Sequence, residues 1–226
     1  MRRTYYDHEP AYRRIKDAGG RGWDDLHPGA APGSYDALDA FLAERPRGPV
    51  RPLAIDLGCG GGQASLRIER AGYSVLGVDF SPTAIDLARA NAAEEAAEAE
   101  FMIADCLSMP KVPSGAFDLA IDNHTLHCLV LPEDRRRFLA EARRVLHPGG
   151  VLFSETMSAE GEPDFEKLGV DPKTRIDEHR TRYWVLRDEL RTELAEAGFE
   201  IRSISLRPQP ERPNPGCTIV TVASRV

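Results

Sequence analysis

Leu53-Ala54-Ile55-Asp56-Leu57-Gly58-Cys59-Gly60-Gly61-Gly62-Gln63 is a short apolar run that meets an acid and then a loop with glycine at four of five positions. Glycine alone lets a backbone turn this tightly and lie flat against a ligand, so the run reads as a strand entering a cofactor loop. The dinucleotide fingerprint G-x-G-x-x-G, counted from Gly58, would put its third glycine at position 63, where this chain has Gln63. The spacing present is Asp56-x-Gly58-x-Gly60-x-Gly62. A second apolar run, Tyr73 to Asp79, ends in an acid seventeen residues beyond Gly62.

Outward from this loop the pattern alternates strand and helix, which means parallel strands joined by crossover helices. Ser81 suits an N-cap and Pro82 the first helical position, with Ile85, Ala88 and Ala92 forming one apolar face before the polar run Glu94 to Glu98. Pro132, Glu133 and Asp134 open a further helix whose apolar residues are Phe138, Leu139, Ala142, Val145 and Leu146. His147-Pro148-Gly149-Gly150 ends it. A last helix over about Leu186 to Ala197 stops at Gly198, followed by an alternating edge strand over Phe199 to Leu206. Cys217 to Ala223 is a strand rich in β-branched residues. The polar stretch 156–183 has no convincing period and, at that length, reads as a lid insertion. Residues 1–48 are different in kind. Tyr5, Tyr6, Tyr12, Trp23 and Tyr35 sit among charges, and Pro28 to Gly33 and Arg45 to Pro49 break regular structure, so one or two short helices are expected, with Asp36 to Ala43 the better marked. This segment reads as an N-terminal helical cap on a domain spanning 49–226.

Composition narrows the function. The 226 residues suffice for one domain with a substantial core. With 29 basic against 36 acidic side chains the net charge is −7, and no basic run offers a nucleic-acid face. Arg135-Arg136-Arg137 follows Glu133 and Asp134 and reads as a solvated, charge-paired helix face. The polar start, Met1 to Pro10, has no signal-peptide character, no apolar stretch is long enough to span a bilayer, and Cys59, Cys106, Cys128 and Cys217 form no C-x-x-C pair. A cytoplasmic protein with reduced thiols and a small-molecule partner is expected.

The motifs resemble those of the class I S-adenosylmethionine-dependent methyltransferases, in family order over nearly the whole chain from about residue 50. After the glycine loop come Val78 to Pro82, Ala104-Asp105-Cys106, Phe117 to Asp122, and Arg144 to Phe153. The resemblance implies a doubly wound α/β fold: a mostly parallel, seven-stranded Rossmann-like sheet whose last strand inserts antiparallel beside the fifth. It also implies S-adenosylmethionine as cofactor. Asp79 is expected to accept from both ribose hydroxyls, the loop from Gly58 through Cys59 and Gly60 to Gly62 to lie against the methionine portion, and Asp105 to accept from the adenine amine. Phe80 and Cys106 are expected to flank the adenine ring, and Asp56 to orient the loop or reach the amino group through water.

The fourth strand ends in Asp122-Asn123-His124-Thr125-Leu126-His127-Cys128-Leu129, at the place that faces the sulfonium and the acceptor in the family. Asp122 and Asn123 are grouped with the cofactor residues, whereas His124 and Cys128 depart from the family's common letters. Methyl transfer from a sulfonium is an in-line displacement, so alignment and desolvation dominate and a base is needed only when the acceptor holds a proton. His124 is the first candidate and His127 the second, with His127 also readable as a core residue packed into the following helix. The two histidines beside Cys128 could be read as metal ligands, but no fourth ligand is suitably spaced and no metal is expected. Tyr5, Tyr6, Tyr12 and Trp23 suit a cap that excludes water. Gly19 to Asp25 is weakly similar to the Trp-Asp segment that precedes the core in thiol and thiopurine methyltransferases. Two alternatives stay open: non-methyl chemistry on the same cofactor, such as intramolecular displacement on the donor, and a nicotinamide-dependent oxidoreductase.

Overall fold

The computed structural model describes residues 4–26, 35–45, 50–209 and 216–226. Seven strands form one sheet: β1 (Leu53–Leu57), β2 (Ser74–Asp79), β3 (Glu100–Ile103), β4 (Phe117–Asn123), β5 (Leu146–Ser158), β6 (Phe199–Pro208) and β7 (Cys217–Arg225). Their order is β3-β2-β1-β4-β5-β7-β6. Strands β1 to β5 are parallel, and β7 runs antiparallel between β5 and β6. The chain winds outward from β1 to β3 and then returns to place β4 on the other side of β1. The loops after β1 and β4 therefore diverge and leave a crevice at the carboxyl edge, where ligands bind in open α/β sheets.

Both faces of the sheet are covered because both faces of its strands are apolar. Ile55 and Leu152 pack on one side with Phe138 and Ala142 of α5 (Pro132–Val145) and Leu190 and Leu194 of α6 (Arg187–Glu196). Their chain neighbours Ala54 and Phe153 point the other way, onto Leu38 and Leu42 of α2 (Asp36–Ala43) and Ile68 of α3 (Gln63–Arg70). Adjacent residues facing opposite layers is the period-two signature of a strand buried on both sides.

The local signals act as their chemistry dictates. Ser81 caps α4 (Pro82–Glu94), its side chain accepting from the Ala84 amide, with Pro82 in the first turn. Helix α6 stops before Gly198, whose φ is 82°. Helix α5 ends at Val145, but the His147 to Gly150 stretch lies inside β5 rather than in a separate loop. A register shift opposite Phe117 and Leu119 absorbs the extra residues. The expected breaks at 28–33 and 46–49 lie outside the described residues.

The Arg135 to Arg137 face is not uniformly solvated. Arg136 and Arg137 are exposed, but Arg135 is 1% exposed. Its guanidinium grips the Glu193 carboxylate through two bonds of 2.7 and 2.6 Å and donates to the Leu126 carbonyl at 2.9 Å. Position 135 falls on the stripe that meets α6, so its charge needed a partner from another helix.

The N-terminal elements divide between two tasks. Helix α1 (Glu9–Asp17) and the 3₁₀ turn Trp23–Leu26 pack over the crevice, whereas α2 fills a layer of the sheet. Glu9 clasps α1 to α4 by accepting from Ser81 Oγ at 2.5 Å, Thr83 Oγ1 at 2.7 Å and the Thr83 amide at 3.2 Å. Burial alone would raise the Glu9 carboxyl, but these donors outweigh it and hold it near about 2. Among the described residues no helix is long and apolar enough to cross a membrane.

Candidate active site

The loop after β1 is pinned from beneath and roofed from above. The Gly58 and Cys59 amides both donate to the Val78 carbonyl of β2, at 2.8 and 2.9 Å. Gly60 has φ 53°, and a Cβ there would run into the Tyr12 hydroxyl of α1, so only glycine fits the space between strand and roof. Gly62 serves as the N-cap of α3 and does not line the cavity. Asn91 ties the loop to the N-terminal segment by donating to the carbonyls of Gly61 and Arg21, both at 2.8 Å.

A cavity of about 380 Å³ opens beyond this loop. Asp56, Asp79 and Asp105 line it, at the ends of successive strands. Asp79 accepts from the Gly60 amide at 3.0 Å and the Ser81 amide at 2.8 Å, so its carboxylate is fixed at the loop. Burial raises Asp79 to about 6, against those two bonds. Burial likewise raises Asp56 to about 7, against a 2.6 Å bond from Ser65 Oγ. Asp105 accepts from the Leu107 amide at 2.9 Å, and Phe80 and Cys106 lie beside it in the wall.

Asp122 takes a different place from the one expected. It is fully buried behind the wall, accepting from the Thr125 and Leu126 amides, each at 2.9 Å, and from Ser154 Oγ at 2.6 Å. Its carboxylate shapes the turn that carries the histidines. Asn123 does line the cavity, and its buried Oδ1 has no hydrogen-bond partner.

His124 and His127 meet in the cavity, ring centroids 5.3 Å apart. His124 has φ 71°, a left-handed conformation uncommon for a side chain with a Cβ, worth about 1–3 kcal/mol of strain. Its amide donates to the Glu155 carbonyl at 3.0 Å, which locks the turn against β5. His127 does not pack into the following helix. It is 3% exposed, faces the cavity, and its Nδ1 has no hydrogen-bond partner. Burial first, then the Arg182 charge, pushes its pKa well below the usual histidine value, so its ring is neutral.

Tyr5, Tyr12 and Trp23 form the roof as expected of a cap, but Tyr6 is 40% exposed and packs only edge-on to His8 outside the cavity. Of the 156–183 segment, Met157 and Arg182 reach the cavity wall. The sequence reading missed His8, Thr125 and Arg182. Thr125 lies within the histidine motif and could have been found there, its side chain filling the space above Gly58. His8 and Arg182 sit in polar stretches without period and carry no local signal.

These residues suit S-adenosylmethionine. Among the described residues no cation forms an ion pair with Asp56, Asp79 or Asp105, and Asn123 presents an unused acceptor, as a ligand with positive charge, hydroxyls and an amine requires. Among the described residues no three His, Cys, Asp or Glu side chains are grouped to hold a metal.

Comparisons agree with the geometry. A methyltransferase domain model matches residues 55–154. The ubiquinone biosynthesis O-methyltransferase of Nitrosococcus oceani is 26% identical over 158 residues, 67% of this chain and 64% of that protein. The demethylmenaquinone methyltransferase of Thermus thermophilus is 36% identical over 118 residues, 51% of this chain and 50% of the relative. The chain thus spans about half to two thirds of these curated relatives. The crystal structure of a SAM-dependent methyltransferase from Methanosarcina mazei superposes with a TM-score of 0.68 at 25% identity, covering 78% of this chain and 93% of that one.

Proposed function

We propose that this chain, which belongs to the class I S-adenosylmethionine-dependent methyltransferases, transfers the cofactor's methyl group to a small-molecule acceptor. The observation that carries this reading is the convergence of the Gly60 loop, Asp79 and the His124–His127 pair on one cavity beneath Tyr5, Tyr12 and Trp23. A cavity of about 380 Å³ lies at the small end of ligand pockets, which suits a small acceptor. The quinone-biosynthesis names of the curated relatives support a small acceptor.

When bound, S-adenosylmethionine supplies a methyl carbon already activated by its sulfonium. Asp79 holds the ribose hydroxyls, the loop supports the methionine portion, and Asp105, Phe80 and Cys106 bracket the adenine. Tyr5, Tyr12 and Trp23 exclude water. Alignment of this kind supplies up to roughly 7–11 kcal/mol in favourable cases. His124 accepts the proton of a hydroxyl or thiol acceptor, a contribution of typically about 10² to 10⁴ in rate. Helix α1 and the Trp23–Leu26 turn act as the cap, and Met157 and Arg182 of the 156–183 segment add to the wall of the acceptor space.

Incubation with methyl-labelled cofactor and a panel of phenol, thiol and amine acceptors tests this reading. Label in an extractable product with equimolar S-adenosylhomocysteine is expected. Labelled methylthioadenosine, with no label in any acceptor and no S-adenosylhomocysteine, would overturn it in favour of displacement on the donor.

A further inference from the structure

The cavity is lined by groups of two kinds. The carboxylates of Asp56, Asp79 and Asp105 line it, and so do His8, His127 and Arg182, with the Arg182 charge felt at both histidines. Arg182 enters from the segment that precedes α6, where the Tyr183 amide donates to the His127 carbonyl at 2.8 Å and so fixes the segment beside the histidine turn. The guanidinium stands 5.4 Å from the centroid of the Trp23 ring. Its Nη1 donates to the Thr181 carbonyl at 2.8 Å and lies 3.2 Å from His8 Nε2.

None of these partners neutralises its charge. His8 can accept from Nη1 only as a neutral imidazole, and burial first, then Arg182 itself, lowers its pKa to about 4. On the same segment Asp177 spends its carboxylate on the Thr181 amide, the Thr181 hydroxyl and the Arg182 amide, at 2.6 to 2.7 Å. Among the described residues no carboxylate forms an ion pair with Arg182. The charge is felt instead at His8, His127 and Cys128. A half-buried guanidinium oriented by a neutral histidine and an indole face, with no ion-paired carboxylate among the described residues, is suited to an anionic ligand.

Apolar side chains, among them Leu129, Phe138 and Met157, make up much of the remaining wall. We propose that Arg182, oriented by His8 and Trp23, is the specificity-determining residue of the acceptor site, and that the acceptor is a small, apolar-bodied molecule bearing a carboxylate. This rests on the methyl-transfer reading. The competing anion is the cofactor's own carboxylate, and cofactor affinity distinguishes the two.

Calorimetry on the full chain, saturated with S-adenosylhomocysteine, tests the assignment with the three hydroxybenzoates and their matched hydroxybenzamides as probes. At least one acid is expected to bind about tenfold or more tighter than its amide, the size of one charge-assisted contact. Arg182→Gln should abolish that preference while S-adenosylhomocysteine affinity stays within about threefold, and Arg182→Lys should restore part of it. Equal binding of acid and amide, or no binding of any acid to the wild type, overturns the proposal, and that comparison needs no variant to fold. A loss of tenfold or more in S-adenosylhomocysteine affinity in Arg182→Gln also overturns it, because Arg182 would then serve the cofactor. Failure of the wild type to bind S-adenosylhomocysteine at all would instead remove the methyl-transfer reading on which it stands.

Discussion

His124 Nε2 lies 4.0 Å from Oε1 of Glu155, a carboxylate fully buried on β5. The same oxygen accepts from Thr218 Oγ1 of β7 at 2.7 Å and lies 3.6 Å from Arg207 Nη1 of β6, so three strands hold the carboxylate in place. A carboxylate at this distance favours the imidazolium that forms when His124 takes a proton, with the Arg207 charge on the same oxygen acting against it. The carboxylate beneath it favours His124 over His127 for the base's role proposed above.

His124→Asn should therefore lower kcat by about 10² or more with a hydroxyl or thiol acceptor, while cofactor affinity stays within a few fold. Asparagine is the informative replacement because it tolerates the left-handed backbone. Glu155→Gln should cost less, roughly tenfold in kcat, since it weakens the imidazolium without removing the base. Steady-state kinetics with saturating cofactor separates the two. An unchanged kcat in His124→Asn would show that another group deprotonates the acceptor.

Asp79→Ala should weaken cofactor binding by about 2–4 kcal/mol through lost charge-assisted bonds. It should also lower stability, because the Gly60 and Ser81 amides lose their acceptor. Calorimetry with S-adenosylhomocysteine and a denaturant titration read the two effects apart, and unchanged affinity would remove Asp79 from the site.

Cofactor binding should depend on pH between about 5 and 8. Asp56 and Asp79 stand at about 7 and about 6 in the free protein, above their ordinary value of 3.8. The stability they contribute is full below that ordinary value and is lost as pH rises through 6 to 7, where burial penalises ionisation. A cation in the cavity favours the ionised forms. Affinity for S-adenosylmethionine should thus rise with pH across this range, with protons released on binding, and the uncharged thioether product should show a weaker trend. Titrations at pH 6 in two buffers of different ionisation enthalpy measure the release. Equal heats in both would contradict the shifts.

Arg135→Met should destabilise the fold by about 3 kcal/mol, the low end for breaking a buried ion pair, since Glu193 keeps 27% exposure and some hydration. The Leu126 carbonyl also loses its donor, so the turn bearing His127 should loosen. Urea denaturation gives the first effect and amide exchange at Leu126 to Leu129 the second. A change below 1 kcal/mol would mean that the pair contributes little.

Much of this architecture is written in short stretches of chain. The glycine loop, the Ser81-Pro82 helix start, the stop at Gly198 and the alternation of strand and helix are legible because turn chemistry, capping and apolar period act over a few residues. Asp79 reaches the cavity for the same reason: a residue that ends a parallel strand is delivered to the carboxyl edge whatever the helices do, and Asp105 follows two residues after β3. Asp122 shows where that rule stops. It lies one residue short of the end of β4, so the pleat turns it inward to the turn and Asn123 outward to the cavity. Arg135 shows the same limit on a helix, where the sequence marks a charged face but not which member of it α6 will cover.

What packing alone decided is the meeting of residues with no local pattern. His8 and Arg182 are 174 positions apart in polar stretches, yet together with Trp23 they line one cavity. Glu155 and Thr218 bond across 63 positions beneath His124. By itself the sequence determined the sheet, the cofactor loop and the acids at strand ends, because each depends on neighbours within a turn or a strand. The tertiary structure decided which cap and lid residues close the cavity and what charge they bring to it, because a polar side chain's direction depends on the distant segment that packs against its backbone.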